Sequence, residues 1–233
     1  MLKEADMGVY VLAAGLQTRF DGRNSKLMSF VEGRPAFSYT METLLDVFQE
    51  ESICIISSDV YEDFNTFVSE ELPSVDLLFD NAPGSGSAKS LERSYPWRQE
   101  WNFVTEANIF YSSDLIRQSL EVLARNHEAI GVINITEKVD VAKTHRPIRL
   151  SSNLTIAEKN DSEKAQHRNV GAYILNERFE KYSHLANDII DIIHILNLAG
   201  DIFAPNIYSG DYLHIEDRQD LKYWRQHFGG VKK

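Results

Sequence analysis

Three basic residues, Arg19, Arg23 and Lys26, follow the first apolar run of the chain, Gly8–Leu12. Asp21 is the one acid among residues 12–26, so this loop carries a local charge of +2 in an acidic protein. Cations combined with exposed backbone amides bind phosphate groups, so the loop predicts a triphosphate site. The alternative is a solvated surface loop. The residues that link the apolar run to the cations and would offer their amides are Leu12, Ala13, Ala14 and Gly15.

Two familiar phosphate-binding motifs are missing from this loop. It has no Gly-x-x-x-x-Gly-Lys-Ser/Thr sequence and no Gly-x-Gly-x-x-Gly sequence. The first absence excludes the phosphate loop of that NTPase class, and the second leaves a dinucleotide site without support.

Polar side chains also follow a later apolar segment, Phe103–Ala107. Glu106 and Asn108 are two residues apart, so in a strand both side chains point to the same face. Magnesium prefers oxygen ligands, commonly one or two carboxylates together with substrate phosphates. These residues therefore place oxygen donors, the ligand type that magnesium prefers, on one face of a strand end, where Asn108 would contribute an uncharged oxygen.

The loop sequence Leu-Ala-Ala-Gly-x-x-Thr-Arg followed by Lys resembles the signature of the sugar-phosphate and alditol- or choline-phosphate nucleotidyltransferases, the NTP transferase superfamily. Further segments resemble motifs of the same family in the same order along nearly the whole chain. These segments are Gly33-Arg34-Pro35, Ser85–Leu91, Phe103–Asn108, Ile156–Lys159, Asn169–Tyr173 and Ile215–Leu221.

The resemblance implies a role for each group of residues. Lys26 would neutralise charge at the α-phosphate and Arg19 would hold the β- and γ-phosphates, both as catalytic residues. Magnesium would be held by Asn108 and Glu216, with Glu106 beside them. The acceptor would be bound by Glu158, Lys159, Asn169 and Gly171. The nucleotide would be bound by Leu12, Ala13, Ala14, Gly15, Arg23, Ser85, Gly86, Ser87 and Ala88. Because residues 85–88 are small, we expect Gly86→Val to block the nucleobase and leave the fold intact.

The sequence departs from the family pattern at four positions. Gln17 replaces a small residue of the signature, and Ser25 replaces the proline before the lysine. Asn108 and Glu216 stand where the family has metal-binding aspartates. The short separation of Arg19 and Lys26 is closer to that of cytidylyltransferases of the methylerythritol type, which favours CTP.

Apolar strand-like runs alternate with helix-like segments through the first half of the chain, which predicts a mostly parallel sheet. One helix is expected from Pro35, with Phe37, Met41, Leu44, Leu45 and Phe48 on its inner face. In the second half we expect a hairpin within residues 147–158, then a polar loop at 161–168. The fold class is therefore α/β: a single-domain, Rossmann-like three-layer sandwich over residues 1–233, with an antiparallel insertion in its second half. The resemblance identifies it with the nucleotide-diphospho-sugar transferase type.

Composition restricts the class of partner. The chain has 24 Lys and Arg against 35 Asp and Glu, a net charge of −11, which disfavours nucleic acid. The single cysteine, Cys54, lies in an apolar run and is expected to be an inert core thiol. No apolar run approaches the length of a membrane span, and residues 1–6 carry acids and lack a signal-peptide pattern, so a cytoplasmic protein is expected. The Ile- and Leu-rich segment 189–198 is expected to be core or a homo-oligomer contact.

Two functional hypotheses remain open. The first is an enzyme that joins a nucleoside triphosphate, CTP in preference to UTP, to a sugar phosphate or choline phosphate, with Mg²⁺ as cofactor and pyrophosphate as leaving group. The second is a catalytically weakened paralogue that binds a nucleotide or nucleotide sugar as a regulatory module.

Overall fold

The buried strand Met7–Leu12 is an interior strand of the main sheet. The structure is a computed structural model that describes residues 4–15, 25–94, 97, 99–137, 147–150, 156–159, 167–216 and 218–227. The strands in these ranges are β1 (Met7–Leu12), β2 (Phe30–Val31), β3 (Arg34–Pro35), β4 (Ile53–Ser57), β5 (Asp76–Phe79), β6 (Trp101–Glu106), β7 (Ile109–Tyr111), β8 (Gly131–Thr136), β9 (Pro147–Leu150), β10 (Ile156–Lys159), β11 (His167–Asn176), β12 (Phe203–Ile207) and β13 (Tyr212–His214). The α-helices are α1 (Ala36–Leu45), α2 (Glu62–Glu71), α3 (Ser87–Ser94), α4 (Ser113–Arg125), α5 (Ile189–Leu198) and α6 (Arg218–His227). Short 3₁₀ helices cover Glu4–Asp6, Lys26–Met28, Glu50–Ser52 and Glu177–Leu185.

The central sheet has the strand order β12-β8-β11-β6-β1-β4-β5. Neighbouring strands are parallel except at β11, which runs antiparallel to both β6 and β8. The hairpin of β9 and β10 joins the sheet at the start of β11. The mostly parallel α/β sheet with an antiparallel part in its second half is therefore confirmed. The carboxyl ends of β1, β4, β6 and β8 meet at one edge, together with the amino end of β11.

Alternation along the strands produces two apolar cores, one on each face of the sheet. Val9 and Val11 face a core that includes residues of α1, α2 and α4. Tyr10 and Leu12 face the other core, with residues of α3 and α5. Period-two alternation in a strand buried on both faces gives this arrangement, so the three-layer sandwich is confirmed. Cys54 lies in the second core and is fully buried, as expected.

Some predicted boundaries were wrong. Helix α1 begins at Ala36 and ends at Leu45, whose side chain is 39% exposed, while Phe48 is buried beyond the helix end. The helix ends at Leu45, so the helical periodicity used to predict an inward-facing Leu45 does not continue past that residue. Strand β11 begins at His167, inside the polar segment predicted to be a loop, because its polar residues pair with β8 and β9. No helix in the described ranges is long and apolar enough to cross a membrane.

Candidate functional site

An open cavity of about 360 Å³ lies at the carboxyl edge of the sheet. Its wall combines residues from both halves of the chain, and ten of them are residues that the sequence analysis proposed. The lining residues are Leu12, Ala13, Ala14, Gly15, Lys26, Leu27, Gly84, Gly86, Ser87, Ser90, Glu106, Ala107, Asn108, Asp188, His214 and Glu216.

Backbone hydrogen bonds fix the loop that leaves β1. The Ala13 amide donates to the Ile56 carbonyl at 2.7 Å, so the loop begins as an extension of the sheet. The Tyr61 hydroxyl donates to the Gly15 carbonyl at 2.7 Å and ties the loop to the start of α2. Residues 12–15 therefore present a defined backbone surface to the cavity. Arg19 and Arg23 lie outside the described residues, and their roles remain predictions.

Lys26 reaches the cavity from the short helix Lys26–Met28. Ser25 caps this helix, because its hydroxyl accepts from the Leu27 amide at 3.3 Å. The Ser25 amide donates to the carboxylate of Asp63 on α2 at 3.1 Å. Ser25 thus supplies a helix cap and an anchor to α2. The Lys26 ammonium donates to the Ile215 carbonyl at 3.3 Å, which places its charge beside the predicted metal ligands.

The two positions predicted to hold magnesium are linked through Ile215. The Asn108 amide group donates to the Ile215 carbonyl at 2.8 Å, and the Ile215 amide donates to the Asn108 carbonyl at 2.9 Å. This pairing extends the ribbon of β7 and β13 and holds Glu216 next to Asn108. Both residues line the cavity.

A histidine that the sequence analysis did not propose lies between two carboxylates in this region. His214 Nδ1 is 3.2 Å from Glu216 Oε1, and His214 Nε2 is 3.6 Å from Glu106 Oε2. Arg168 approaches the same Glu216 oxygen at 3.8 Å. All four side chains are largely buried, with exposed fractions between 9% and 14%. His214 and Glu216 are two residues apart, but nothing in the sequence brings His214 to Glu106, or Arg168 to Glu216, so only the fold reveals this cluster.

The oxygen donors suit a magnesium ion that would complete its shell with substrate phosphates. Glu216, Glu106 and Asn108 supply hard oxygen atoms, and Mg²⁺ is commonly held through one or two carboxylates plus phosphates and water. Within the described part of the chain, no group of three or more His, Cys, Asp or Glu side chains is arranged to hold a metal ion alone. The site therefore fits an ion that arrives with a triphosphate, not a protein-enclosed one.

The opposite side of the cavity is formed by the turn before α3. Asp80 anchors this turn, since its carboxylate accepts from the Ala82 amide at 2.9 Å and from the Ser90 hydroxyl at 2.6 Å. Of the predicted residues 85–88, Gly86 and Ser87 line the cavity. The Ala88 side chain is fully buried, and its amide donates to the Asn187 carbonyl at 2.9 Å.

Gly86 is needed for packing as well as for access to the cavity. Its φ is +116°, and a Cβ at this position would lie 2.3 Å from the carbonyl oxygen of Asn187. The expectation that Gly86→Val leaves the fold intact is therefore wrong, because the added side chain would meet backbone atoms that precede α5.

The structure also places Asp188 in the cavity wall, although the sequence analysis did not propose it. Ser87 donates to Asp188 Oδ1 from its amide at 3.1 Å and from its hydroxyl at 3.3 Å. The hydroxyl in turn accepts from the Ile189 amide at 3.0 Å. Nothing in the sequence pairs Asp188 with a residue a hundred positions earlier, so only the fold reveals this contact.

The predicted acceptor residues fall on β10 and β11. Asn169 and Gly171 lie at the amino end of β11, near the cavity edge of the sheet. A Cβ on Gly171 would lie 2.5 Å from Ile109 Cδ1 and 3.3 Å from the Glu106 carboxylate, so glycine here permits the close approach of Glu106. The Asn169 side chain is buried, donates to the Tyr173 hydroxyl and accepts from the Gly171 amide. The backbone of Glu158 and Lys159 pairs with β9, and their side chains lie outside the described atoms.

Comparison with known proteins identifies the fold and no closer relationship. No family model and no curated protein sequence matches the chain. A protein of Bacillus anthracis provisionally named a glucose-1-phosphate thymidylyltransferase, solved in complex with a sucrose, superposes with a TM-score of 0.78 at 18% identity, over 97% of each chain. The inositol-1-phosphate CTP transferase from T. maritima superposes with a TM-score of 0.76 at 14% identity, over 98% of this chain and 99% of that one. The fold implied by the sequence resemblance is thus confirmed over nearly the full length.

Proposed function

We propose that the chain is a nucleotidyltransferase that joins a nucleoside triphosphate to a small phosphorylated acceptor and releases pyrophosphate. CTP is favoured over UTP, and the acceptor is a sugar phosphate or choline phosphate. The observation that carries the proposal is the cavity itself, in which a backbone loop, a lysine, an amide and carboxylates from distant parts of the chain converge. The names of the two structural neighbours, one for a thymidylyl and one for a cytidyl transfer, support the same reaction class.

The reaction needs positioning and charge neutralisation more than covalent participation by the protein. An oxygen of the acceptor phosphate attacks the α-phosphorus and forms a new P–O bond. The bond from the α-phosphorus to the bridging oxygen breaks, and pyrophosphate leaves with that electron pair. Lys26 would stabilise the negative charge that spreads over the α-phosphate during the attack. Arg19 would hold the leaving phosphates, and residues 12–15 would orient the nucleotide through their backbone.

Magnesium would be held by Asn108 and Glu216, with Glu106 close to them. When bound, the ion would neutralise charge on the triphosphate. His214 and Arg168 would keep the two carboxylates oriented, since each approaches Glu216 and His214 also approaches Glu106.

Pyrophosphate release tests the proposal directly. The purified chain would be incubated with Mg²⁺, each of the common triphosphates, and a panel of sugar phosphates, alditol phosphates and choline phosphate. We expect pyrophosphate to form only when a triphosphate and an acceptor phosphate are both present. Absence of release with every pair, from a protein that binds none of the triphosphates, would contradict the proposal.

A second candidate, a nucleotide-binding regulatory module, is favoured by one observation. Asn108 brings no charge to the metal position, and His214 lies between the two nearby carboxylates. Glu216→Gln separates the two candidates, with the exposed Glu121→Gln as a matched control. In an enzyme, Glu216→Gln should nearly abolish turnover, whereas in a binding module it should leave nucleotide affinity unchanged and Mg²⁺-independent.

A further inference from the structure

Asp188 contributes an acceptor oxygen to the part of the cavity where the nucleobase would lie. It borders the cavity together with Gly84, Gly86 and Ser87. Both Ser87 donors converge on one carboxylate oxygen, Oδ1. No described group donates to the other oxygen, Oδ2, which is therefore available to a ligand in the cavity that Asp188 lines.

No positive charge neutralises this carboxylate within the described ranges. Among the described residues, the Asp188 side chain is hydrogen-bonded by Ser87. Lys89, two residues after Ser87, pairs instead with Glu92 at 2.6 Å. An ionised carboxylate accepts hydrogen bonds and donates none. A ligand group that meets Oδ2 should therefore be a hydrogen-bond donor.

Nucleobases differ in this respect at the edge that distinguishes them. Cytosine and adenine carry an amino donor there, whereas thymine and uracil carry a carbonyl acceptor. An amino group of the base would donate a hydrogen bond to the Asp188 carboxylate. A base carbonyl in the same place would bring two acceptors together, and neither would gain a donor. A polar site of this kind rejects the mismatched analogue more strongly than a difference in shape would.

We infer that Asp188 selects the nucleotide by its base: it binds a triphosphate whose base presents an amino group, cytosine in preference to uracil or thymine. This inference rests on the proposed function and names its substrate class. The two structural neighbours are named for nucleotides that differ in this group: one for a thymidylyl donor, whose base has a carbonyl, and one for CTP, whose base has an amino group. Asp188 places this chain with the CTP side.

The Asp188→Asn variant tests the inference with a predicted reversal. The two Ser87 donors would hold the amide oxygen in the place of Oδ1, so the amide NH₂ would take the place of Oδ2. A donor would then face the base, and uracil or thymine would become the better partner. Asp201→Asn, also at a half-buried carboxylate but away from the cavity, is the charge-matched control.

The measurement is calorimetric titration of CTP, UTP, dTTP, ATP and GTP into the wild type and both variants, with Mg²⁺ present. We expect the wild type to prefer CTP over UTP and dTTP by roughly 10- to 100-fold, with Asp188→Asn removing or inverting that ratio. ATP and GTP show whether a purine with an amino group is accepted in place of cytosine. The Asp201→Asn control should keep the wild-type ratio.

Three outcomes would overturn the inference. Equal affinity of the wild type for CTP and UTP would do so, as would a ratio that Asp188→Asn leaves unchanged. A uniform loss across all five triphosphates would show that Asp188 contacts the ribose or supports the fold instead of reading the base. If a folded wild type binds none of the five, the proposed function fails as well, which distinguishes that failure from the first three.

Discussion

The Ile215 carbonyl accepts hydrogen bonds from two residues of the site, one charged and one neutral. Lys26 and Asn108 both donate to it, at 3.3 and 2.8 Å. If Lys26 turns toward a phosphate, Asn108 still donates to the Ile215 carbonyl, so that buried acceptor remains paired. This arrangement suits a cation that must be ordered before the substrate arrives.

Replacing Lys26 tests that role. Lys26→Ala should lower kcat by about 100-fold or more, because one stabilising charge is removed from the transition state. The free energy of unfolding should change by less than about 1 kcal/mol, since a partly exposed cation contributes little to stability. Steady-state pyrophosphate release and urea denaturation measure the two effects. The exposed Lys181→Ala is the control, and equal kinetics of both variants would contradict the assignment.

Asn108 has a structural duty that an aspartate could not perform. In Asn108→Asp a carboxylate oxygen would face the Ile215 carbonyl in place of a donor, so unfolding in the presence of chelator should become easier by about 1–3 kcal/mol. With Mg²⁺ and nucleotide the difference should shrink, because the new carboxylate adds an anionic ligand. Urea denaturation under both conditions measures this.

The control for Asn108 is Asn126→Asp. Its amide also donates to a backbone carbonyl, that of Val122, at 2.7 Å, but at an exposed position. That variant should be nearly neutral under both conditions. If Asn108→Asp proves as stable as the wild type in chelator, the hydrogen bond to Ile215 does not explain the amide.

At the scale of elements, the ribbon of β7 and β13 builds the reactive half of the site. It pairs Ile109–Tyr111 with Tyr212–His214 in antiparallel register and therefore carries Asn108 and Glu216 at the same end. Each strand has three residues and they lie a hundred positions apart, so neither shows a period by itself. The sequence alone could not reveal this ribbon, and His214 was missed with it.

The strands of the central sheet were easier to predict. β1 and β4 are almost continuous apolar runs, and β6 and β8 combine apolar residues with a few polar ones, which indicates strands buried on both faces. Their alternation with helices also predicted a shared carboxyl edge, and hence the position of residues 12–15 and 106–108. Asp188 was beyond reach, because its partner Ser87 is fixed by how α5 packs against the turn before α3.

Two glycine variants distinguish the cost of backbone strain from the cost of a steric collision with the residues before α5. Gly86 and Gly200 both have positive φ, +116° and +100°, but only at Gly86 would a Cβ collide with a described atom, the Asn187 oxygen. Gly200→Ala should cost about 1–2 kcal/mol of unfolding free energy from backbone strain alone. Gly86→Ala should cost a further 1–3 kcal/mol, about the cost of overpacking, and should also weaken nucleotide binding. Thermal and urea denaturation of the pair provide the test, and equal destabilisation would contradict the predicted collision.

At the scale of the whole molecule, the cavity draws its wall from both halves of the chain. Lys26 and Gly86 come from the first half, and Asp188, His214 and Glu216 from the second. A ligand in this cavity makes contacts with the native state that the unfolded chain lacks, so binding should stabilise the entire fold.

Thermal unfolding with ligand measures that coupling. At 100 times Kd, CTP with Mg²⁺ should add about 2.7 kcal/mol of unfolding free energy. For a chain of this size that corresponds to a rise in Tm of about 5–10 °C. Inorganic phosphate at the same concentration is the control, and it should shift Tm far less because it lacks the base and the ribose. A Tm that does not depend on CTP concentration would contradict a nucleotide site in this cavity.

The reversed direction of β11 has a consequence for how such proteins diverge. Strand β8 ends, and β11 begins, at the same edge of the sheet, where the cavity lies. The segment between Thr136 and His167 therefore leaves and rejoins the scaffold at this edge. Its described strands, β9 and β10, join the sheet only at the start of β11, so changes within the segment need not alter the order β12-β8-β11-β6-β1-β4-β5. Under the proposed function, evolution can change which phosphorylated acceptor is bound at this edge while the order of the central strands stays the same. Proteins that share this fold over nearly their full length at 18% and 14% identity show that the scaffold tolerates extensive change of sequence.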